Sequence, residues 1–263
     1  MEKTTNVYGL VGGKIKETIS IPKIFSYNPR TDIVRKSFEV EQSRNKQKQG
    51  RDNRAGIRNT AEGWGTGHGM SRAPRIKGSG FPTARNVGRV PFAVGGRKAH
   101  PIKSKKKLKK KINKKTKSIS IISGISASGK RGWIKERGHI IDDIPEVPLV
   151  VDDKIQTIKK TNQLYSVLIE LGLKKDLKRV KKKIRAGKGK RRGRKYKRKK
   201  SILIIVKEDF GIVRAARNIP GVEVVNLNNL SIGMLAPGGK LGRLILWSSS
   251  AFKELEKYES ELN

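Results

Sequence analysis

From position 63 to position 135 the chain runs through 73 residues without a single Asp or Glu, while 20 of them are Lys or Arg. A segment of this kind repels itself and has no internal counter-charge with which to collapse. In isolation it needs an external anion to become compact. The whole chain has 263 residues, with 62 Lys and Arg against 22 Asp and Glu, for a formal net charge of +40. All of that excess sits in two blocks, +23 over residues 45–135 and +17 over residues 174–200. The other 145 residues are neutral overall and long enough for one globular core. A neutral body with two cationic extensions calls for a polyanionic partner.

Other classes fall away on composition. The chain has no cysteine, which excludes a disulfide scaffold, a thiol nucleophile and a Cys-ligated zinc or iron–sulfur site. The longest strongly apolar run, residues 202–206, is far short of the ~18 residues that a spanning helix needs. The opening Met1-Glu2-Lys3-Thr4-Thr5 lacks the apolar stretch of a secretory leader. Neither a membrane contact nor export is expected.

The neutral part reads as α/β. Short β-type runs at 7–11 and 15–21 flank Gly12-Gly13 as a hairpin, and a helix follows from about Asp32 to Lys48. From Val147 onward, strands alternate with helices. Apolar runs at 147–151, 201–206, 221–225 and 244–246 read as strands; segments around Leu164 to Leu171, Val213 to Ala216, Leu227 to Leu235 and Ala251 to Tyr258 read as helices. Strands without polar alternation, separated by helices, predict a mostly parallel sheet covered on both faces. The expected organisation is a hairpin and helix over 1–49, a long loop over 50–101, and an α/β body over 102–263 with a second basic insertion at 174–200.

The loop is where function is expected. Glycines and prolines punctuate residues 50–101 without sustained apolar periodicity, so the segment is irregular unless RNA orders it. Trp64, Phe81 and Phe92 interleave with Arg51, Arg54, Arg58, Arg72, Arg75, Lys77, Arg85, Arg89, Arg97 and Lys98. Planar stacking groups among guanidinium forks suit irregular RNA. Lys105 and Lys106 extend this set, and Lys190, Arg191, Arg192 and Arg194 form its counterpart in the second block. Residues 103–117 are mostly Lys, and Ile112, Ile119, Ile122 and Ser126 continue a stripe that reads as a helix returning to the body. Two extended arms of about 25 residues would reach up to ~80 Å.

Enzymatic readings find little support. Gly124, Gly129 and Lys130 fit the G-x-x-x-x-G-K spacing of a phosphate-binding loop, which makes a basic NTPase the alternative. However, Arg131 stands where a Ser or Thr hydroxyl would hold Mg²⁺, and the preceding isoleucines fit a helix rather than the required strand. The glycines at 65, 67 and 69 lack the strand and helix of a dinucleotide site. His68, His100 and His139 are scattered, so no metal cluster or triad is expected. The acidic side chains gather on the neutral part, where capping and surface pairing are the default reading. No cofactor is called for.

Several motifs together carry a family resemblance. They are Trp64-Gly65-Thr66-Gly67 followed by Arg72-Ala73-Pro74-Arg75, then Gly95-Gly96-Arg97-Lys98-Ala99-His100-Pro101, Arg137-Gly138-His139, and Pro237-Gly238-Gly239. End to end, the chain resembles the large-ribosomal-subunit protein four family in its archaeal and eukaryotic form. The resemblance implies a structural, non-enzymatic protein of the cytoplasmic large subunit. It also implies an α/β body on the subunit exterior and a long loop threading the 23S-type rRNA, bound early in assembly. Further implied partners are neighbouring ribosomal proteins and, through a loop tip at Trp64, His68 and Met70, the nascent polypeptide in the exit tunnel, with Arg72 and Arg75 as rRNA anchors; no homo-oligomer is implied. The chain departs from the pattern at His68, where many members carry Arg, and lacks the long C-terminal tail of eukaryotic members, which favours an archaeal or minimal ribosome.

Overall fold

A computed structural model describes residues 4–11 and 15–262. It divides into two compact units, Met1–Ser43 with Lys111–Asn263, and Arg44–Lys110. In the first unit, strands β1 (Thr4–Tyr8) and β2 (Ile15–Ser20) pair antiparallel; the Gly12-Gly13 turn of the expected hairpin lies outside the described residues. Strand β3 (Leu149–Val151) follows, then a small separate ribbon of β4 (Lys183–Ile184) and β5 (Tyr196–Lys197), and finally β6 (Leu203–Val206), β7 (Glu223–Asn226) and β8 (Ile245–Ser248). The main sheet has the order β2-β1-β3-β8-β6-β7, and every neighbour except β1/β2 is parallel. This is the mostly parallel α/β sheet expected.

The unbroken apolar character of β6 has a direct cause. Leu203 and Ile205 point into one hydrophobic cluster and Ile204 and Val206 into the other, so neither face can be polar. Helices α1 (Thr31–Arg44), α2 (Lys114–Ser128), α7 (Ile232–Leu235) and α8 (Ser249–Leu262) contribute to the first cluster. Helices α3 (Arg131–Arg137), α4 (Thr161–Glu170), α5 (Lys174–Arg179) and α6 (Ile212–Ala216) contribute to the second. Trp247 on β8 is fully buried at the centre, edge-on to Phe25 at 6.2 Å and to Phe252 at 6.0 Å, and those two rings stack at 5.6 Å. Each such pair adds roughly 0.5–1.5 kcal/mol beyond area burial.

Four boundaries differ from expectation. α1 stops at Arg44, because beyond Val40 no apolar residue remains on its inner face and Lys46 and Lys48 have nothing to bury. The return helix begins only at Lys114; the preceding lysine run has no acid four residues away to offset like-charge repulsion along a helix. Residues 227–235 are not one helix but a 3₁₀ turn (Leu227–Asn229) and α7, separated at Ser231 by extended backbone. The second basic block is only partly an extension: its first turns are α5, which buries Asp176 and Leu177.

Beyond Arg44, the last residue of α1, the unit Arg44–Lys110 contains no helix and no strand longer than a single bridge. Arg75 bridges antiparallel to Glu62 on one side and to Val87 on the other, so the chain folds back on itself rather than running out as two extended arms. Ala61 is the one fully buried apolar side chain in this unit. Close backbone approach substitutes for a core at Gly56, where φ is +81° and a Cβ would lie 2.4 Å from the Gly96 carbonyl; only glycine fits there.

Candidate nucleic-acid interface

The unit Arg44–Lys110 holds 19 Lys and Arg, and its two acids are already engaged. Asp52 pairs with Arg58 at 2.9 Å and Glu62 with Lys77 at 2.5 Å. Arg51, Arg54, Arg58, Arg72, Lys77, Arg85, Arg89, Arg97, Lys98, Lys105 and Lys106 are all exposed. Two guanidinium groups serve the unit itself. Arg89 donates to the carbonyls of Ile57 (3.3 Å) and Asn59 (2.9 Å). Arg75 is half-buried, donates to the Arg85 carbonyl at 3.0 Å, and places its guanidinium carbon 5.7 Å from the Trp64 ring centre. Both act as internal braces, since each ties segments distant in sequence to one another. The remaining cations project into solvent.

Residues 63–74 form a loop closed at its base by the two backbone hydrogen bonds between Glu62 and Arg75, at 3.0 and 2.9 Å. Gly65, Gly67 and Gly69 have positive φ, and a Cβ on any of them would meet nothing within 4 Å. Conformation rather than crowding therefore selects glycine there, and the main chain is bare. Trp64 is half-buried, 5.2 Å from the His68 ring, while His68 and Met70 are exposed.

In the second block, β4 and β5 pair antiparallel, Lys183 with Lys197 and Ile184 with Tyr196. Arg185 extends the ladder by donating its N–H to the Lys195 carbonyl at 2.8 Å. A 3₁₀ turn, Lys188–Arg192, closes the ribbon between Gly187 and Gly193, both at φ +77°. Lys190, Arg191, Arg192 and Arg194 cluster at this tip and are all exposed. An ordered ribbon thus displays the second set of cations.

Sequence reasoning missed a buried polar network in the body. Asp176, the one acid of the second basic block, is fully buried on α5. His139 Nδ1–H donates to it at 3.1 Å, Arg179 Nε donates at 2.8 Å, and the Ser201 hydroxyl donates as well. Burial opposes its ionisation, but these donors outweigh that and hold the carboxyl well below the usual carboxylate range. Burial holds His139 below its ordinary value, and its Nε2 accepts the Leu244 N–H at 3.4 Å, so the neutral ring fits the site. Arg243, also fully buried, donates to the carbonyls of Ser201 (3.0 Å), Ile202 (3.3 Å) and Met234 (2.8 Å) and to Glu223 at 2.7 Å. Arg137 donates to the carbonyls of Pro237 (2.9 Å) and Lys240, which joins the Arg137-Gly138-His139 motif to Pro237-Gly238-Gly239. Most of these partners lie 20 to 105 positions apart and leave no local pattern; an Asp inside a cationic run was the only available signal.

The G-x-x-x-x-G-K match is not a phosphate loop. Residues 120–128 are buried within α2, Gly124 abuts Leu235, and Lys130 donates to the Tyr27 carbonyl at 2.9 Å. Among the described residues no three His, Asp or Glu are grouped as metal ligands, and no helix is long and apolar enough to cross a membrane.

Both sheet faces are filled, and the exposed cations concentrate on one irregular unit and one ribbon. That arrangement suits a protein that meets a polyanion. The chain belongs to the ribosomal protein L4/L1 family, whose family model matches residues 19–258. It is 41% identical over 253 residues to the large ribosomal subunit protein uL4 of Methanopyrus kandleri, covering 95% of this chain and 97% of that one. The uL4 of Methanosphaera stadtmanae is also 41% identical, with 95% of each chain covered. The uL4A of Schizosaccharomyces pombe is 39% identical over 96% of this chain and 70% of its own length. The resemblance to the archaeal and eukaryotic form is thereby borne out. Proteins of this family are structural components of the ribosome, so the NTPase alternative is set aside.

Proposed function

We propose that this chain is a structural constituent of the large ribosomal subunit in the cytoplasm, binding 23S-type rRNA early in assembly and contacting several rRNA domains. The observation that carries the reading is the display of most of its excess charge on two segments that have almost no apolar core, Arg44–Lys110 with +17 and residues 181–200 with +14. In this reading residues 50–101 form the principal rRNA-binding loop and residues 174–200 a second contact, while the α/β body engages neighbouring ribosomal proteins as a monomer. Residues 63–74 reach the exit tunnel, with Trp64, His68 and Met70 nearest the nascent polypeptide and Arg72 anchored on rRNA. The bare glycine backbone of that loop supports the assignment, since it permits close approach to another surface. Co-sedimentation with large subunits in high salt tests subunit membership. A photoreactive residue at position 68 should crosslink to a stalled nascent chain, whereas crosslinks confined to rRNA would place the tip away from the lumen.

A further inference from the structure

The ribbon β4/β5 carries, besides its cations, an apolar pair that the body does not cover. Ile184 and Tyr196 face each other across the two strands and are 62% and 45% exposed. Both are large hydrophobic side chains, and both stand inside a segment of net charge +17. The Lys182 ammonium sits 3.9 Å from the centre of the Tyr196 ring, and that of Lys195 sits 5.6 Å away. The arrangement is a planar ring flanked by ammonium groups, with a branched aliphatic side chain beside it and a guanidinium-rich tip beyond. Tyr196 as a whole is 45% exposed, and the groups over its ring are the ends of flexible lysine side chains that can swing toward phosphates and leave a face to a planar partner.

We propose that Tyr196 is a stacking platform for an unpaired rRNA base, with Ile184 packing against its edge or sugar and Lys182 and Lys195 holding the flanking phosphates. The inference rests on the reading of residues 174–200 as an rRNA contact and adds a non-ionic component to it. Three features favour RNA over a protein partner. The ammonium groups around the ring would oppose a cationic neighbour, phosphates would neutralise them, and an aromatic face accepts any base because every base has a π-face. The ribbon is ordered by its own ladder and by the Arg185 contacts to Lys195 and Arg194, so the platform is formed before binding.

Stacking and phosphate contact separate experimentally, because only the latter releases counterions. The test is a salt titration of the full chain binding to protein-free large-subunit rRNA, using Tyr196→Leu, Tyr196→Phe, and a variant with Lys190, Arg191, Arg192 and Arg194 replaced by Ala. Tyr196→Leu should weaken binding about 5- to 150-fold with an unchanged log–log slope, and Tyr196→Phe should bind as the parent does. Parental affinity in Tyr196→Leu, or a reduced slope in that variant, would overturn the platform. The four-fold Ala variant should lose about one unit of slope per lost phosphate contact. An unchanged slope there would remove the ribbon tip from the interface, which is a failure of the underlying reading rather than of the platform. A photoreactive phenylalanine at position 196 in assembled subunits should crosslink to rRNA; crosslinks to a ribosomal protein instead would identify the ring as a protein contact and overturn the proposal.

Discussion

His139 Nδ1 lies 3.1 Å from both carboxylate oxygens of Asp176, in the interior of the body. Asp176 is also held by Arg179 and Ser201, so one carboxylate ties together α5, the segment after α3, and the entry to β6. Replacing Asp176 with Ala would leave these buried donors without an acceptor, and the body should lose about 3–5 kcal/mol. Denaturant unfolding followed by circular dichroism measures this. A loss below about 1 kcal/mol would mean that the network contributes no stability.

The same pair sets a pH dependence. His139 is held below its ordinary value in the folded body, so the unfolded chain binds more protons once pH drops below about 6.5. Its contribution is present above that pH and is lost as pH falls. Asp176 is depressed too, so its contribution is present above about pH 4 and is lost below it. Melting temperature should therefore fall in acid in two stages, and His139→Gln should blunt the first. A parent that is equally stable at pH 7 and pH 5 would contradict this.

These groups also mark the limit of what was legible beforehand. The sheet could be read because β6 is apolar at every position and can only be buried on both faces. The irregular cationic unit could be read because its glycines, prolines and like charges leave no apolar periodicity from which a core could be built. By contrast, the pairing of His139 with Asp176, and of Arg137 with Pro237, depends on chain crossings that no periodicity records. The Tyr196 platform was hidden for a related reason: Ile184 and Tyr196 become neighbours only once Gly187 and Gly193 turn the ribbon between them.

The cationic unit should behave differently from the body when no RNA is present. With Ala61 as its one fully buried apolar side chain and 19 positive groups, it gains too little from burial to offset roughly 1–2 kcal/mol of backbone entropy per ordered residue. Hydrogen exchange on the free chain should show unprotected amides over residues 50–101 and strong protection over 202–206, with loop protection appearing once rRNA is added. Loop amides protected without RNA would refute this.

Gly56 gives a local test of the folded form of that unit. An added Cβ would lie 2.4 Å from the Gly96 carbonyl, at a φ of +81°. Gly56→Ala must therefore push the two chain segments apart. The expected result is at least 10-fold weaker rRNA binding with unaltered melting of the body, because the strain is confined to Arg44–Lys110. Parental affinity in this variant would show that the Gly56–Gly96 approach is dispensable for recognition.

The loop tip can be removed cleanly, because Glu62 and Arg75 exchange both backbone hydrogen bonds at its base. Such a pair has the geometry of the closing rung of a hairpin, and a two-residue Asn-Gly turn can span it. Replacing residues 63–74 by Asn-Gly should therefore preserve the Arg75 bridge to Val87 and the exposed cations at Arg51, Arg54, Arg58, Arg97 and Lys98. Subunits should still incorporate the chain, since Arg72 is the one cation removed. What should change is the passage of nascent chains, because in the proposed function Trp64, His68 and Met70 stand at the tunnel wall. Toeprinting of ribosomes translating a stall-prone peptide would register this as stalling that weakens or shifts. Loss of incorporation would instead make the tip an assembly determinant, and stalling identical to the parent's would place these three side chains away from the lumen.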